Sequence, residues 1–323
     1  MIVTELYNGQ GLGNQLWCYV VARCIALKNG FNFGIMSPEK FRGKHLFESI
    51  DFGEQVIGGS GPEGGPPESL PSGIDKYYRE KKEVHALFGC DVSRTDLNLM
   101  KVPDNTKIEG TMQSEDYIIQ YREDILKWLK LKPGLNTIPL LENTCLIHIR
   151  GGDFFCQTEV RLGREYYLTA MNYIRQYHGN VRFAIVTDDV KVAKEMLPEV
   201  EIISSSVISV DNYKAQHHLG GDISVDYSLI NSVQYLILSN SSFAWWAAWT
   251  NNKAVSVVAP KYWARHNISD GFWSNGDSLT RKWVYLDRNH DAYTYNKCLA
   301  EKNDYEKKHY DKFVSQQGTG VLI

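Results

Sequence analysis

Short apolar runs alternate along this chain with longer stretches in which apolar residues recur every three or four positions. The alternation is most regular after residue 143. There the pattern predicts strands over 144–149, 182–189, 201–206, 235–240 and 254–260. Helical spacing predicts helices between them, over 164–179, 190–197, 222–234 and 242–251. Strands that alternate with helices are typical of a parallel sheet with helices on both faces.

The first part of the chain shows a less regular version of the same pattern. Strands are predicted over 1–6, 31–36 and 106–113, and helices over 16–30 and 114–134. The second of these helices is charged and amphipathic, begins at a serine and stops at Pro-Gly. The segment "YNGQGLGNQ" (7–15) is typical of a glycine-rich turn, and 58–73 of an exposed Gly/Pro loop.

Two such blocks predict an α/β chain of two domains, which suits its length of 323 residues. We place the domains at 1–138 and 139–289. The remaining segment, 290–323, is polar, charged and rich in tyrosine. We expect one solvated helix there that packs back on the protein or joins a partner.

Composition narrows the function classes. Apolar residues make up 43% and charged residues 23%, and a net charge of −3 offers no attraction to nucleic acid. We see no apolar run long enough to span a bilayer and no secretory signal. The six cysteines form no C-x-x-C pair, so we expect buried thiols in a cytoplasmic protein.

Polar and small residues follow several predicted strands, where parallel sheets bind ligands. The segments are "GQGLGNQ" (9–15), "HIRGGD" (148–153), "TDD" (187–189) and "SNSSF" (239–243). Arg150 offers a rigid fork that suits a phosphate, and the two following glycines let a ligand approach the backbone. Ser241 and Ser242 begin a helix, whose N-terminus favours anions. The pattern predicts a cleft for a diphosphate, with Asp188 or Asp189 accepting from a base edge or a ribose hydroxyl.

Each feature also has a purely structural explanation. His148 alone is typical of a hydrogen-bonded core histidine, and Arg150 with Asp153 of a structural ion pair. "TDD" ahead of a helix is a good N-cap for one of its aspartates. The glycines of 9–13 fit a tight turn, and "FAWWAAW" fits a packed core. The position of all four segments at strand ends favours function.

Five segments resemble the α1,2-fucosyltransferases, glycosyltransferase family 11. "GLGNQLWCYVVARCIAL" (11–27) resembles the family's N-terminal signature, and "IEGTMQSEDYI" (108–118) is similar to a second family segment. "IHIRGGDFF" (147–155) resembles the donor motif and "VTDD" (186–189) the family's Ser-Asp-Asp. "LSNSSFAWWAAWTN" (238–251) is similar to Asn-Ser-Ser-Phe-Ser-Trp-Trp, and "VVAPKYW" follows it. The motifs keep the family's order from residue 1 to about 287.

The resemblance implies a GT-B-type fold, two Rossmann-like domains with the nucleotide-sugar cleft between them. It implies inverting transfer of L-fucose from GDP-fucose to a glycan hydroxyl, the 2-OH of a galactose-type residue, with no metal or other cofactor. Arg150, Ser241 and Ser242 would meet the charge that develops on GDP. His148 would face guanosine, one of the two aspartates would hold guanine, and Asp153 would orient Arg150. The residues predicted to bind substrates are Gly13, Asn14, Gln15, His148, Arg150, Asp188, Asp189, Asn240, Ser241, Ser242 and Phe243.

Gly151 departs from the family, which usually has a second arginine there. Loss of a charge-assisted hydrogen bond weakens binding about 10- to 100-fold if nothing replaces it. Candidates for replacing the charge are Arg161, Arg164, Lys261 and Arg265. The departure leaves open another GDP-sugar as donor, or an inactive protein that binds a nucleotide or a glycan.

Inversion requires a base for the acceptor hydroxyl. Glu159, Asp153 and Glu5 are the candidates, and we hypothesise Glu159 because it follows the donor motif closely. A nicotinamide-dependent oxidoreductase ranks last, because the glycines of 9–13 are spaced G-x-G-x-G and no acidic residue ends the next strand. A peripheral membrane association with a lipid-linked acceptor stays open.

Overall fold

The computed structural model describes residues 1–58, 69–81, 83–85, 91–92, 95–135, 140, 142–152, 159–205, 223–263, 266–269, 279–308 and 313–315. Contacts divide the chain into two compact units. The N-terminal unit comprises Met1–Lys130 and the strand Phe313–Ser315, and the C-terminal unit the described residues from Leu131 to Lys307. The predicted domain limits stay predictions. Most of the predicted loop 58–73 lies outside the described residues.

A parallel sheet of four strands organises the N-terminal unit. Its strands are β1 (Ile2–Glu5), β2 (Phe33–Met36), β3 (Lys76–Arg79) and β6 (Thr106–Glu109), in the order β2-β1-β6-β3. A separate antiparallel sheet joins β4 (Glu83–His85), β5 (Asp91–Val92) and β14 (Phe313–Ser315). The pattern had not predicted β3, whose register places Arg79 beside Glu109.

Helix α1 (Leu12–Asn29) begins inside the segment predicted as a glycine-rich turn. This correction moves Gly13, Asn14 and Gln15 into the first helical turn. The helix ends at Gly30, whose left-handed backbone lets its N–H donate to the carbonyl of Ala26. Apolar side chains on most of its surface bury it against β1 and β2.

The charged segment 114–134 forms less helix than its periodicity predicts. Two 3-10 turns, Glu115–Tyr117 and Ile119–Tyr121, precede α2 (Arg122–Trp128). The Tyr117 hydroxyl donates to Glu80, 3.0 Å away, and receives a 2.6 Å hydrogen bond from the N–H of Asp96. Because these partners lie far away in the sequence, local periodicity does not reveal how they hold the start of the segment in tight turns.

A sheet of seven strands organises the C-terminal unit, in the order β13-β12-β11-β10-β7-β8-β9. The strands are β7 (Thr144–Ile149), β8 (Arg182–Thr187), β9 (Glu201–Ser205), β10 (Tyr235–Ile237), β11 (Ser256–Pro260), β12 (Val284–Leu286) and β13 (Ala292–Thr294). Only β13 runs antiparallel to its neighbour. The helices are α3 (Arg164–His178), α4 (Val190–Met196), α5 (Ile223–Ile230), α6 (Ser242–Trp249) and α7 (Tyr295–Lys308). The prediction of an α/β fold with Rossmann-like, mostly parallel sheets is confirmed.

Strand β7 lies inside this sheet and is buried along its whole length. Burial on both faces explains its nearly continuous apolar sequence. The strand order makes β8 and β10 its two neighbours, so the loops that follow these three parallel strands leave the sheet side by side. Those loops carry the predicted donor residues.

Helix α7 occupies part of the segment predicted as a polar extension. Cys298 and Lys302 on this helix are buried, so it packs back on its own unit. Among the described helices, none combines the length and the apolar character needed to cross a bilayer.

Candidate functional site

Two aspartates at the end of β8 hold the loop that follows β7. Asp188 accepts hydrogen bonds from the Arg150 guanidinium and, at 2.7 Å, from the N–H of Gly151. Asp189 accepts from the N–H of Gly152 at 3.4 Å and caps α4 by accepting from the N–H of Val192 at 3.1 Å. The Arg150 side chain is 32% exposed, so the ion pair orients a cation that still reaches solvent.

These bonds bear on two of the structural explanations given above, the N-cap and the ion pair of Arg150. The N-cap interpretation of "TDD" is confirmed for Asp189. Arg150 pairs with Asp188, whereas its expected partner Asp153 lies outside the described residues. Binding of guanine by Asp188 or Asp189 stays a prediction, and a ligand there would share oxygens that already accept backbone N–H groups.

Gly151 is required by a close approach between the two strand-end loops. A Cβ atom built on Gly151 would lie 2.3 Å from the Cβ of Asp189. Any side chain at this position therefore displaces the residue that caps α4. The family's second arginine does not fit this backbone.

Two of the four cations considered as replacements are engaged elsewhere. Arg164 bonds the carbonyl of Met196, 2.5 Å away, and pairs with Glu199 at 3.1 Å. Lys261 is buried and pairs with Glu301 on α7 at 2.5 Å. Each of these two cations is therefore held by a carboxylate outside the Arg150 loop.

Arg161 is the described cation that remains, since Arg265 lies outside the described residues. Burial is the main cause of the raised pKa of Tyr167; the charge of Asp188 raises this pKa further, and the charge of Arg161 lowers it. The charges of Arg161 and Asp188 therefore act on the same Tyr167 hydroxyl, in opposite directions.

His148 is a buried, neutral group at the end of β7. Its Nδ1 atom shares a 2.7 Å hydrogen bond with the hydroxyl of Ser239. Burial, helped by the charge of Arg150, lowers the pKa of His148 to about 3. Its ring centroid lies 6.3 Å from that of Phe243. The structural interpretation of a hydrogen-bonded core histidine describes its Nδ1 side; contact with guanosine stays a prediction.

The start of α6 follows β10, as predicted. Ser241 is the N-cap and accepts from the N–H of Ala244 at 3.5 Å, while Ser242 is the first helical residue. The first N–H groups of a helix have no partner within the helix and favour an anion. This end of α6 is the second feature of the unit that suits a diphosphate.

Asn240 ties two loops together beside this helix. Its Nδ2 atom donates to the carbonyls of Val160 and Trp263, each 2.8 Å away. Glu159, the hypothesised base, is an exposed turn residue directly before Val160. Asn240 therefore holds the turn that carries Glu159, which is a positioning role that sequence reasoning had not assigned.

The three predicted residues of the N-terminal unit have different environments. Gln15 is buried and brackets a loop, donating to the carbonyl of Lys40 at 2.9 Å and accepting from the N–H of Arg42 at 2.8 Å. Gly13 is buried in α1. Asn14 is exposed and accepts from Gln113 at 3.0 Å.

A pocket of about 140 Å³ lies at the carboxyl ends of β1, β3 and β6. Its lining residues are Thr4, Glu5, Tyr7, Gln10, Asn14, Cys18, Arg79, Glu109, Gly110, Thr111 and Gln113. Only Asn14 among them was a predicted binding residue. The resemblance at 108–118 was a signal for four of the others, whereas Arg79 is the last residue of β3, a strand that the pattern had not predicted.

Hydrogen-bonded carboxylates line this pocket. Glu5 forms a buried ion pair with Lys107, at 2.7 Å, so this candidate base already has a cation. Glu109 accepts hydrogen bonds from the hydroxyls of Tyr77 at 3.1 Å and Tyr7 at 3.4 Å. Burial first, and the charge of Glu109 second, raise the pKa of both phenols. Both therefore stay protonated at physiological pH.

Glu80 supports the segment that forms one wall of the pocket. It accepts from the N–H of Met112 at 2.7 Å and from the hydroxyl of Thr111 at 3.3 Å. A Cβ atom on Gly110 would lie 2.4 Å from the Cβ of Glu80, so only glycine fits there. The "EGT" segment thus owes its shape to a neighbouring strand end. In the described part of the chain, no His, Cys, Asp or Glu side chains group as a metal site.

Comparison with family models matches one family over more than half of the chain. The family model described as Glycosyl transferase family 11 matches residues 99–287. An Escherichia coli alpha-1,2-colitosyltransferase is 25% identical over 191 residues, 55% of this chain and 62% of the relative. The E. coli O-antigen biosynthesis glycosyltransferase WbnK is 28% identical over 151 residues, 45% of each chain. The match spans less than two thirds of either relative.

Solved structures show weaker similarity. NodZ alpha-1,6-fucosyltransferase soaked with GDP-fucose has a TM-score of 0.40 and 14% identity, over 77% of this chain and 92% of that one. A glycosyl transferase family 9 protein from Veillonella parvula has a TM-score of 0.40 and 11% identity, over 99% and 91%. These scores are too low to support a conclusion about function.

Proposed function

This chain belongs to glycosyl transferase family 11, and we propose that it transfers L-fucose from GDP-fucose to a hydroxyl of a glycan acceptor, the 2-OH of a galactose-type residue. The observation that carries the proposal is the family match itself, over residues 99–287. This range includes the Arg150 loop and the start of α6. The relative described as an alpha-1,2-colitosyltransferase supports the proposed linkage.

The proposed reaction is a single displacement with inversion. The acceptor oxygen attacks the anomeric carbon opposite GDP, and the bond between that carbon and the phosphate oxygen breaks with its electron pair on GDP. The acceptor proton passes to a carboxylate, for which we propose Glu159. The charge that develops on GDP requires a fixed cation and N–H donors, because no metal is proposed.

Arg150 and the N-terminus of α6 are proposed to supply that stabilisation. Asp188 holds the guanidinium in one orientation before the donor binds, so little conformational entropy is lost on binding. A lysine at position 150 would keep the charge and lose the planar fork. Replacing Arg150 by lysine should therefore lower kcat/KM about 10- to 100-fold, the worth of one charge-assisted hydrogen bond.

The test is turnover of GDP-fucose in EDTA with a terminal galactoside, followed by mass spectrometry of the product. Arg150→Lys should lose activity as stated, and the matched control Arg164→Lys, whose parent side chain pairs with Glu199, should keep it. Glu159→Gln should lower kcat with KM nearly unchanged; full turnover would exclude Glu159 as the base. Equal activity of Arg150→Lys and the parent would overturn the donor assignment.

The same turnover assay also tests a second sugar donor. The alpha-1,2-colitosyltransferase relative favours GDP-linked colitose as the alternative sugar. Transfer of colitose and not of fucose would change the donor and keep the reaction. GDP binding without transfer from either donor would favour an inactive nucleotide-binding protein.

A further inference from the structure

We propose that the pocket at the ends of β1, β3 and β6 binds one neutral pyranose ring, whose hydroxyls bridge Glu109 and Arg79. The inference rests on the proposed function in one respect, because it makes this pocket the acceptor subsite. It adds the pocket that holds the acceptor unit and the side chains that contact it. The pocket lies entirely within the N-terminal unit.

The main observation is a contrast between two opposite-charge pairs on neighbouring strands. Glu5 at the end of β1 and Lys107 on β6 form a buried ion pair at 2.7 Å. Arg79 and Glu109 are register partners at the ends of β3 and β6, and both line the pocket, yet no ion pair joins them. Within the described part of the chain, the Arg79 side chain makes no hydrogen bond or ion pair.

A donor and an acceptor that flank a pocket without meeting can be joined by a ligand. A hydroxyl group both donates and accepts, so it can donate to Glu109 and accept from Arg79 at once. A carboxylate ligand could satisfy only Arg79 and would be repelled by Glu109, and an ammonium ligand would have the reverse problem. The geometry therefore favours a neutral polyol over a charged sugar.

The remaining pocket wall is consistent with a sugar ring. Asn14, Gln113 and Thr111 add amide and hydroxyl groups that both donate and accept, and Tyr7 adds an aromatic ring. The volume of about 140 Å³ is well below the roughly 300–1,000 Å³ of pockets for drug-sized ligands. It suits a single monosaccharide unit at the end of a glycan.

The wall is built before a ligand arrives. Glu80 fixes the backbone of Met112 and the side chain of Thr111, and the buried phenol of Tyr77 fixes Glu109. A preformed pocket loses less entropy on binding, so weak individual hydrogen bonds suffice for selectivity. Because these contacts hold the wall in place, Arg79 and Glu109 can be substituted one at a time.

The experiment is saturation-transfer NMR on the full chain with saturating GDP, using methyl β-galactopyranoside as the probe and methyl β-glucuronide as its anionic counterpart. The parent should bind the galactoside more tightly than the glucuronide. Arg79→Met and Glu109→Gln should each weaken galactoside binding about 10- to 100-fold. Glu39→Gln, which makes the same charge change at an exposed site of this unit, should leave it unchanged. Arg79→Met is the variant less prone to misfold, because Arg79 is partly exposed.

The outcomes separate this pocket from the proposed donor chemistry. Galactoside binding that both variants leave intact, or no binding by the parent, overturns the pocket assignment. Tighter binding of the glucuronide makes the pocket an anion site and also overturns it. Loss of galactoside binding with an intact GDP-induced shift in melting temperature supports it. A parent that binds galactoside and shows no GDP shift supports the pocket while contradicting the proposed donor.

Discussion

Replacing Gly151 with alanine tests how the Arg150 loop is built. The added Cβ would lie 2.3 Å from the Cβ of Asp189, whereas ordinary contacts begin near 3.4 Å, so one loop must retreat by about an ångström. Overpacking of this kind costs about 1–3 kcal/mol. Displacement of Asp189 also weakens the cap of α4, which is worth about 1 kcal/mol. We expect the free energy of unfolding to fall by roughly 2–4 kcal/mol.

The measurement is urea unfolding of the full chain, followed together with the melting shift that GDP induces. Gly163→Ala is the matched control, because Gly163 precedes α3 and a Cβ atom there meets nothing within 4 Å. It should stay within about 1 kcal/mol of the parent, since a poorer N-cap is offset by lower entropy of the unfolded chain. Gly151→Arg should lose GDP binding. Stability equal to the control, or tighter GDP binding by Gly151→Arg, would refute the steric argument.

Two further predictions follow from buried groups of the C-terminal unit. Because the pKa of His148 is about 3 in the folded protein and near 6.5 when unfolded, its contribution to stability is full above pH ~6.5 and is lost as the pH falls toward 3. Between pH 6.5 and 5, the free energy of unfolding measured in urea should therefore fall by about 1.5 kcal/mol less for His148→Gln than for the parent. The same slope of this free energy against pH in both proteins would contradict the burial of a neutral ring. Asn240→Ala and Asn240→Asp should each lower the free energy of unfolding by about 1–3 kcal/mol, because neither side chain can donate to the two carbonyls at 2.8 Å. A urea midpoint of Asn240→Asp equal to that of the parent would show that these two hydrogen bonds do not stabilise the fold.

Strands β7 to β11 of the C-terminal unit could be predicted closely because these elements have strong local signals, whereas the pattern had not predicted β12 and β13. A buried parallel strand such as β7 is nearly all apolar, and the polar residues that follow it stand out. "TDD" predicted an N-cap from residue type alone, and Asp189 provides it. The side-chain periods of helices and strands differ enough to separate elements of this length.

The N-terminal unit was harder to predict because its elements depend on distant contacts. The strand "KYYR" is short and half polar, so nothing local distinguishes it from a loop, and Arg79 at its end was missed with it. The helix expected over 114–134 is shortened by bonds from Tyr117 to groups near residues 80 and 96. A start of α1 at Leu12 is compatible with the same glycines that predicted a turn.

The Arg150 loop shows what residue type alone cannot reveal. The sequence suggested that Gly151 removes a cation and that another arginine or lysine replaces it. In the structure the glycine is fixed by Asp189, 38 positions along the chain, and two of the proposed replacements are engaged elsewhere. Arg150 takes Asp188 as its partner at a similar separation. Such pairs are set by the order of strands in the sheet.

The most direct test of the account is thermal unfolding of the parent and Arg150→Lys in EDTA with GDP, GDP-fucose and UDP. A ligand present at ~100 times its Kd adds about 2.7 kcal/mol of stability. We predict a raised melting temperature of the parent with GDP and GDP-fucose, no rise with UDP, and a much smaller rise for Arg150→Lys. No rise with either GDP compound, or an equal rise for the parent and Arg150→Lys, would contradict a GDP-sugar site built around Arg150.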